Sequence, residues 1–101
     1  MQKLFEIIAD PGRRAILDLL RERELAAGEI VGAMKIGQPG VSKHLRLLRE
    51  AGLVDVRGDR QRRIYSLRPG PLAELDRWLA PYRTFWTGKL DALGAHLDRE
   101  Q

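Results

Sequence analysis

Apolar residues recur at helical spacing near the start of the chain. A short first helix is predicted from four of them, Leu4, Phe5, Ile7 and Ile8. Asp10 and Pro11 indicate the start of a second helix, because Asp caps helix N-termini well and Pro suits the first helical position. This helix then has an apolar side, made of Ile16, Leu17, Leu19 and Leu20. It is expected to end near Glu22–Glu24.

The apolar residues that follow predict two more helices, separated by a tight turn. The third helix is predicted over Ala27–Met34, and the turn over Lys35–Gly37. The fourth helix is predicted over Gln38–Ala51. Pro39 in its first turn and Gly52 just after its end are the boundary signals that a helix of this length requires.

After the fourth helix, the spacing of apolar residues changes to that of strands. Two short strands are predicted, from Leu53, Val54 and Val56 and from Ile64, Tyr65 and Leu67. The polar segment Arg57–Arg63 is predicted to be the turn of this hairpin. Pro69–Pro71 then breaks the chain, and Leu72 to about Leu97 is predicted to be helical.

These elements predict one mainly α domain with a small β-hairpin, covering residues 1–101. A tight turn joins two short helices, and a basic hairpin follows, which is the pattern of a winged helix-turn-helix. The predicted order is four helices, two strands and a fifth helix. Residues 71–98 are predicted to be a C-terminal dimerisation helix.

The dimer is predicted because the last helix carries an apolar stripe of nearly heptad spacing, too large for a small domain to cover. A second copy's equivalent helix, together with the first helix, is the natural cover in a twofold dimer. A helix packed only within its own monomer is the alternative. Pro81 is expected to kink or split the helix near Trp78–Ala80. The predicted interface residues are Leu4, Phe5, Ile8, Leu75, Trp78, Leu79, Tyr82, Phe85, Trp86, Leu90, Leu93 and Leu97.

The predicted fourth helix separates apolar from hydrogen-bonding side chains around its axis. At about 100° per residue, Val41, Leu45 and Leu48 fall on one compact face. In the major groove, Gln suits adenine, Lys or Arg suits guanine and Ser suits either, so the opposite face is typical of a recognition helix. An ordinary amphipathic helix with a solvated charged face is the alternative. The outer face carries Ser42, Lys43, Arg46 and Arg49, and Gln38 lies in the first turn, where recognition helices place base-contacting residues.

Two residues of this helix have open interpretations. His44 lies beside the apolar face, where it would either reach a phosphate or be packed and hydrogen-bonded. Gly40 either permits close approach to a DNA backbone or is simply tolerated at a helix N-terminus.

Positive charge is concentrated in one third of the chain. The net charge is +4, but Lys35 to Arg68 contains nine Lys or Arg and three Asp or Glu, a balance of +6. This asymmetry indicates a polyanionic partner, most often nucleic acid. The predicted turn adds Arg57, Arg60, Arg62 and Arg63 to the candidate DNA contacts, as backbone or minor-groove contacts. A solubilising loop is the alternative for the turn.

At these residues the sequence strongly resembles the arsenical-resistance-repressor (ArsR) family. The resemblance is carried by Gln38–Val54, Leu25–Ile30, Ala9–Leu17 and Arg63–Leu67, and it extends over residues 1 to about 98. It implies a homodimeric bacterial transcriptional repressor that binds double-stranded operator DNA. Because a dimer presents its DNA-binding residues twice, about one helical turn apart, the operator is expected to be an imperfect inverted repeat. It also places Gln38, Ser42, Lys43, His44 and Arg46 at recognition-helix positions.

The chain departs from the metal-sensing members of that family. It contains no cysteine, and the segment Glu24–Gly28 stands where those members carry cysteines. The last helix has His96 with Asp91, Asp98 and Glu100 at spacings that do not match the carboxylate–histidine pattern of other members. Neither a metal nor a cofactor is therefore expected, and a small-molecule effector is left unassigned.

Several motifs that would indicate other classes of protein are missing from the sequence. No Ser/His/Asp set, phosphate-binding loop or metal triad is present, so an enzyme is not expected. No apolar run approaches the roughly 18 residues of a membrane span, and no secretory segment is evident, so a cytoplasmic protein is expected. The predicted function is a sequence-specific DNA-binding repressor of its own operon. The alternative is a winged-helix module for protein–protein contact without tight DNA binding.

Overall fold

The computed structural model describes the backbone of residues 1–100 and the side chains of residues 1–94. Over this range the predicted mainly α, winged helix-turn-helix architecture is confirmed, with one strand added. No helix in the range is long and apolar enough to cross a membrane. The elements are α1 (Gln2–Ile8), α2 (Pro11–Glu22), β1 (Leu25–Ala26), α3 (Ala27–Ala33), α4 (Gly37–Glu50), β2 (Val54–Asp59), β3 (Arg62–Leu67) and α5 (Gly70–Glu100).

The sheet has three antiparallel strands in the order β1-β3-β2, where the sequence predicts only two. In β1, Leu25 pairs with Tyr65 and Ala26 pairs with Ile64. A strand of two residues is too short to show the alternation of apolar and polar positions on which a sequence prediction depends. Strand β1 is formed by its backbone pairing with β3 and not by a pattern in its own sequence.

The predicted turn over Arg57–Arg63 is wrong in extent. Strand β2 continues to Asp59, which pairs with Arg62, so only Arg60 and Gln61 connect the two strands. Arg60 has a φ of 61°, in the left-handed region that glycine adopts most easily. Next to the turn, β2 and β3 are exposed to solvent on both faces. Because their residues there are polar, the sequence does not distinguish strand from turn.

Both helix-boundary signals in the sequence are confirmed. Asp10 caps α2, and α4 ends before Gly52, whose φ of +76° requires the conformational freedom of glycine. The Gly52 N–H donates to the Arg49 carbonyl at 3.0 Å, and the Leu53 N–H donates to the Leu48 carbonyl at 2.9 Å. These two bonds form a Schellman motif, which satisfies the last carbonyls of the helix.

The core lies where α2, α3, α4 and the sheet meet. Its largest fully buried side chains are Ile16, Ile30, Val41, Leu48, Leu53 and Val54. The chain is nevertheless elongated, with a radius of gyration of 18.2 Å. A compact 100-residue domain has a radius of about 13 Å. The excess arises because the 31-residue helix α5 extends well beyond this core.

Helix α5 continues through Pro81, so the proline does not split it. Two side chains after the proline donate to carbonyls before it. Arg83 Nη1 donates to the Asp76 carbonyl at 3.2 Å, and Thr84 Oγ1 donates to the Ala80 carbonyl at 3.3 Å. Both bonds connect the turns on either side of the proline, which lacks the backbone N–H of an ordinary helical residue.

Candidate nucleic-acid interface

Helix α4 is held by one buried face and presents the other to solvent. Val41, Leu45 and Leu48 are at most 3% exposed, as their angular positions predict. The turn before the helix depends on Gly37, whose φ is +79°. Because the inward face is anchored in the core, the direction in which the outward face of the helix points is fixed.

A surface groove of about 580 Å³ separates α4 from the wing, which we define as β2, β3 and their connecting turn. Arg63 and Tyr65 of β3 line one side, and the floor includes Val41 and Leu45. This groove therefore combines amide, hydroxyl and guanidinium donors. Four predicted DNA-binding residues of α4 line it together with Arg63: Gln38, Ser42, Arg46 and Arg49.

The remaining predicted contacts lie outside the groove. Lys43 is exposed on α4, but it does not line the groove, in keeping with its position farther around the helix. Arg60 is exposed at the tip of the wing. Within α4, Arg46 Nη1 donates to Glu50 Oε1 at 3.4 Å, and both side chains are exposed.

Of the two interpretations of His44, a phosphate contact or a packed side chain, the structure shows the packed one. Its side chain is 15% exposed, and its Nε2 lies 3.8 Å from Asp10 Oδ1. Its Nδ1 lies 3.4 Å from Arg13 Nη1. A Cβ atom at Gly12 would lie 2.9 Å from the imidazole, so this close approach of α2 to α4 requires glycine.

Asp10 connects the cap of α2 to this histidine. Its carboxylate accepts the Gly12 N–H at 2.8 Å and the Arg13 N–H at 3.2 Å. The Arg13 N–H lowers the pKa of Asp10 most, and the Gly12 N–H and the nearby Arg13 and His44 side chains lower it further. The start of α2 and the middle of α4 are thus joined by polar contacts.

Gly40 has a local packing role that neither interpretation of the sequence includes. A Cβ atom at this position would lie 3.1 Å from Cδ1 of Ile36, whose side chain is half-exposed beside the start of α4. Glycine therefore allows the turn before α4 to fold closely against the helix.

The sequence does not identify two acidic residues that bind the wing. Arg57 Nη2 donates to Glu24 Oε2 at 2.7 Å, and Arg62 Nη2 donates to Glu29 Oε1 at 3.1 Å. The Glu24 carboxylate raises the pKa of Arg57. Glu29 also accepts the Ala26 N–H at 2.9 Å, which is the main cause of its lowered pKa. A Glu at the third position of a helix is the sequence signal that could have identified Glu29. Here it is hard to recognise, because the N-cap position holds Ala26 and not the usual Ser or Thr.

The predicted dimer residues fall into two groups. Leu4 is buried in the protomer's own core, and Phe5, Ile8, Leu75 and Leu79 are partly buried. The side chain of Leu97 lies outside the described residues, as do those of His96, Asp98 and Glu100. Six side chains on α5 are 42–65% exposed: Trp78, Tyr82, Phe85, Trp86, Leu90 and Leu93.

The sequence of this chain is similar to those of known bacterial transcriptional regulators. A family model described as "Bacterial regulatory protein, arsR family" matches residues 10–56. The HTH-type transcriptional regulator Rv2034 of Mycobacterium tuberculosis is 36% identical, over 97% of this chain and 89% of that protein. The transcriptional repressor SdpR of Bacillus subtilis is 35% identical, over 78% of this chain and 88% of the repressor.

Solved structures agree with the fold. A crystal structure described as a possible transcriptional regulator for arsenical resistance has a TM-score of 0.68 and 37% identity. The match covers 90% of this chain and 92% of that one. Most of the chain therefore has a counterpart in a solved structure.

Proposed function

The chain belongs to the arsR family of bacterial regulatory proteins, and on that premise we propose that it is a homodimeric repressor of its own operon. Its relatives are named as transcriptional regulators and repressors, which supports a DNA-binding regulator. The proposed operator is an imperfect inverted repeat in double-stranded DNA. Each protomer would read one half of that repeat.

The groove between α4 and the wing is the observation that supports this proposal. It places the Gln38 amide and the Ser42 hydroxyl beside the guanidinium groups of Arg46, Arg49 and Arg63. Uncharged donors discriminate between base edges, whereas arginines bind both guanine and phosphate. We propose that α4 enters the major groove and that exposed wing arginines contact the flanking backbone.

The homodimer is supported by the exposed apolar face of α5. Phe85, Leu90 and Leu93 are each more than half exposed, on a helix that extends away from the core. Phe5 and Trp78 pack edge to face, with ring centroids 5.6 Å apart, and Trp78 contacts Tyr82. We propose that α1 and α5 of two protomers pair about a twofold axis, with residues 71–98 as the main contact.

A footprint on the DNA upstream of the protein's own gene tests the proposal. We expect two protected half-sites related by an inverted repeat, with centres about one helical turn, or roughly 34 Å, apart. Titration at several salt concentrations should show affinity falling steeply as salt rises. Absence of salt-dependent binding to any duplex would favour the alternative, a winged-helix module that contacts only proteins.

A further inference from the structure

The two faces of the wing carry different arginines. Successive side chains of a strand point to opposite faces, and paired residues of antiparallel strands share a face. In the β2–β3 register, Arg57 pairs with Ile64 and Asp59 pairs with Arg62, which places these four residues on one face. Arg63, opposite Gly58, lies on the other face, where it lines the groove beside α4.

Both arginines of the first face are held by carboxylates from the segment that contains β1 and α3. Glu24 binds Arg57 at 2.7 Å, and Glu29 binds Arg62 at 3.1 Å. Glu29 also lies 3.4 Å from Arg23 and accepts the Ala26 N–H. Its carboxylate is therefore fixed by the backbone of the α3 N-terminus and does not simply follow Arg62 through solvent.

Arg46 in the groove pairs with Glu50 of its own helix, but three other arginines near the proposed DNA have no such partner among the described residues. No carboxylate within ion-pair distance is found for Arg63 in the groove, for Arg60 at the tip, or for Arg49 on α4. The four wing arginines thus differ in available charge, although the sequence presents them as one cluster.

We infer that Glu24 and Glu29 divide the wing arginines into two functional sets. Arg57 and Arg62, neutralised by these carboxylates, position the wing against the start of α3. Arg60 and Arg63 supply its phosphate contacts. Glu29 thereby limits the non-specific affinity of the wing for DNA. This inference rests on the proposed DNA binding and specifies which residues of that interface set its charge.

The test is the slope of log K against log salt concentration for operator and scrambled duplexes. Each lost phosphate contact reduces the slope by about 0.9, or about 1.8 per dimer. Arg63→Ala should show this full reduction, and Arg62→Ala less than half of it. Glu29→Gln keeps an oxygen for the Ala26 N–H but releases Arg62, so its slope should increase by up to about 1.8 per dimer.

Two controls separate release of Arg62 from other effects. Glu74→Gln removes the same charge from α5, outside the groove, and should leave the slope nearly unchanged. In the Glu29→Gln background, Arg62→Ala should now show the full reduction. Glu24→Gln provides an independent test through Arg57, should the Glu29 variant have a lowered melting temperature.

The outcomes distinguish this inference from the proposed function. Equal reductions for Arg62→Ala and Arg63→Ala, or an unchanged slope in both Glu→Gln variants, would overturn the division of the arginines while DNA binding stood. If the wild-type protein bound no duplex in a salt-dependent manner, the proposed function would fall and the inference with it.

Discussion

Helices α4 and α5 both carry an apolar stripe, but they use it differently. On α4, Val41 and Leu48 are fully buried in the protomer, and the polar face is exposed. On α5, Phe85 is 65% and Leu90 is 62% exposed. The apolar side of α4 is thus covered by its own domain, whereas α5 presents an exposed apolar surface, which we propose that a second copy covers. A similar sequence pattern therefore has two meanings, which depend on what lies opposite the stripe.

This contrast separates recognition from assembly. The orientation of the α4 side chains is set within one protomer, because the buried face anchors the helix in the core. The distance between two α4 helices would be set by α5. Changes in α5 should therefore alter dimerisation first, and changes in α4 or the wing should alter DNA binding without altering the dimer.

The largest expected effect is on assembly. Trp86→Ala should weaken the dimer by roughly 3–5 kcal/mol, or about 100-fold or more in dissociation constant, because it removes a large aromatic contact. Sedimentation equilibrium at micromolar concentration measures this change. Thr87→Ala, an exposed neighbour on the same helix, is the control. A wild-type protein that sedimented as an 11.5 kDa monomer would remove the contrast between the helices.

The next effect distinguishes base reading from charge within the groove. Gln38→Ala should cost about 1–3 kcal/mol of discrimination at one base pair per half-site and leave the salt slope unchanged. Arg63→Ala should weaken operator and scrambled DNA alike. Fluorescence titrations with both duplexes measure these differences. The assignment fails if the two variants change slope and specificity in the same way.

A smaller effect is expected at the tip of the wing, where one substitution should weaken DNA binding without lowering stability. Arg60 has a φ of 61°, so Arg60→Gly should relieve strain and leave unfolding free energy unchanged or raised by up to about 1 kcal/mol. It should nevertheless weaken DNA binding several-fold. Gln61→Gly is the matched control, since Gln61 lacks a positive φ and its replacement should destabilise the hairpin. Loss of stability in Arg60→Gly would contradict the strain argument.

The smallest effect concerns the Asp10 cap at the start of α2. The pKa of Asp10 is lowered in the folded state, chiefly by the Arg13 N–H. Its contribution to stability is therefore complete above the unfolded value of 3.8 and is lost as pH falls through the lower folded value. Asp10→Asn should show a smaller drop in melting temperature between pH 5 and pH 2, with Asp18→Asn as the control. An identical drop in both variants would exclude this role.

Most elements of the fold could be predicted from local sequence. The caps at Asp10 and Gly52 and the buried stripe of α4 follow from short-range rules. Strand β1 could not be predicted, because two residues carry no periodicity and the strand depends on pairing with β3. The turn of the wing was predicted too long for a related reason, since exposed polar strands resemble loops.

The candidate site was predicted in composition but not in arrangement. Ser42 and Arg46 share the exposed side of α4 because helical geometry alone places them there, and Gln38 is exposed in the first turn of the helix. His44 lies at the edge of that side, and only the packing of α2 against α4 decides that it contacts Asp10. The pattern of one helix does not specify which neighbour covers its edge.

The sequence by itself determined the amphipathic helices, their boundaries and the concentration of positive charge between Lys35 and Arg68. These properties depend on residues that are close together in the chain. Only the tertiary structure decided which arginines of that cluster are neutralised. Arg57 and Arg62 each bind a carboxylate 33 residues earlier, and those carboxylates are brought close by the fold that pairs β1 with β3. The sequence shows how much charge the wing carries, but the register of the sheet determines which side of the wing presents it.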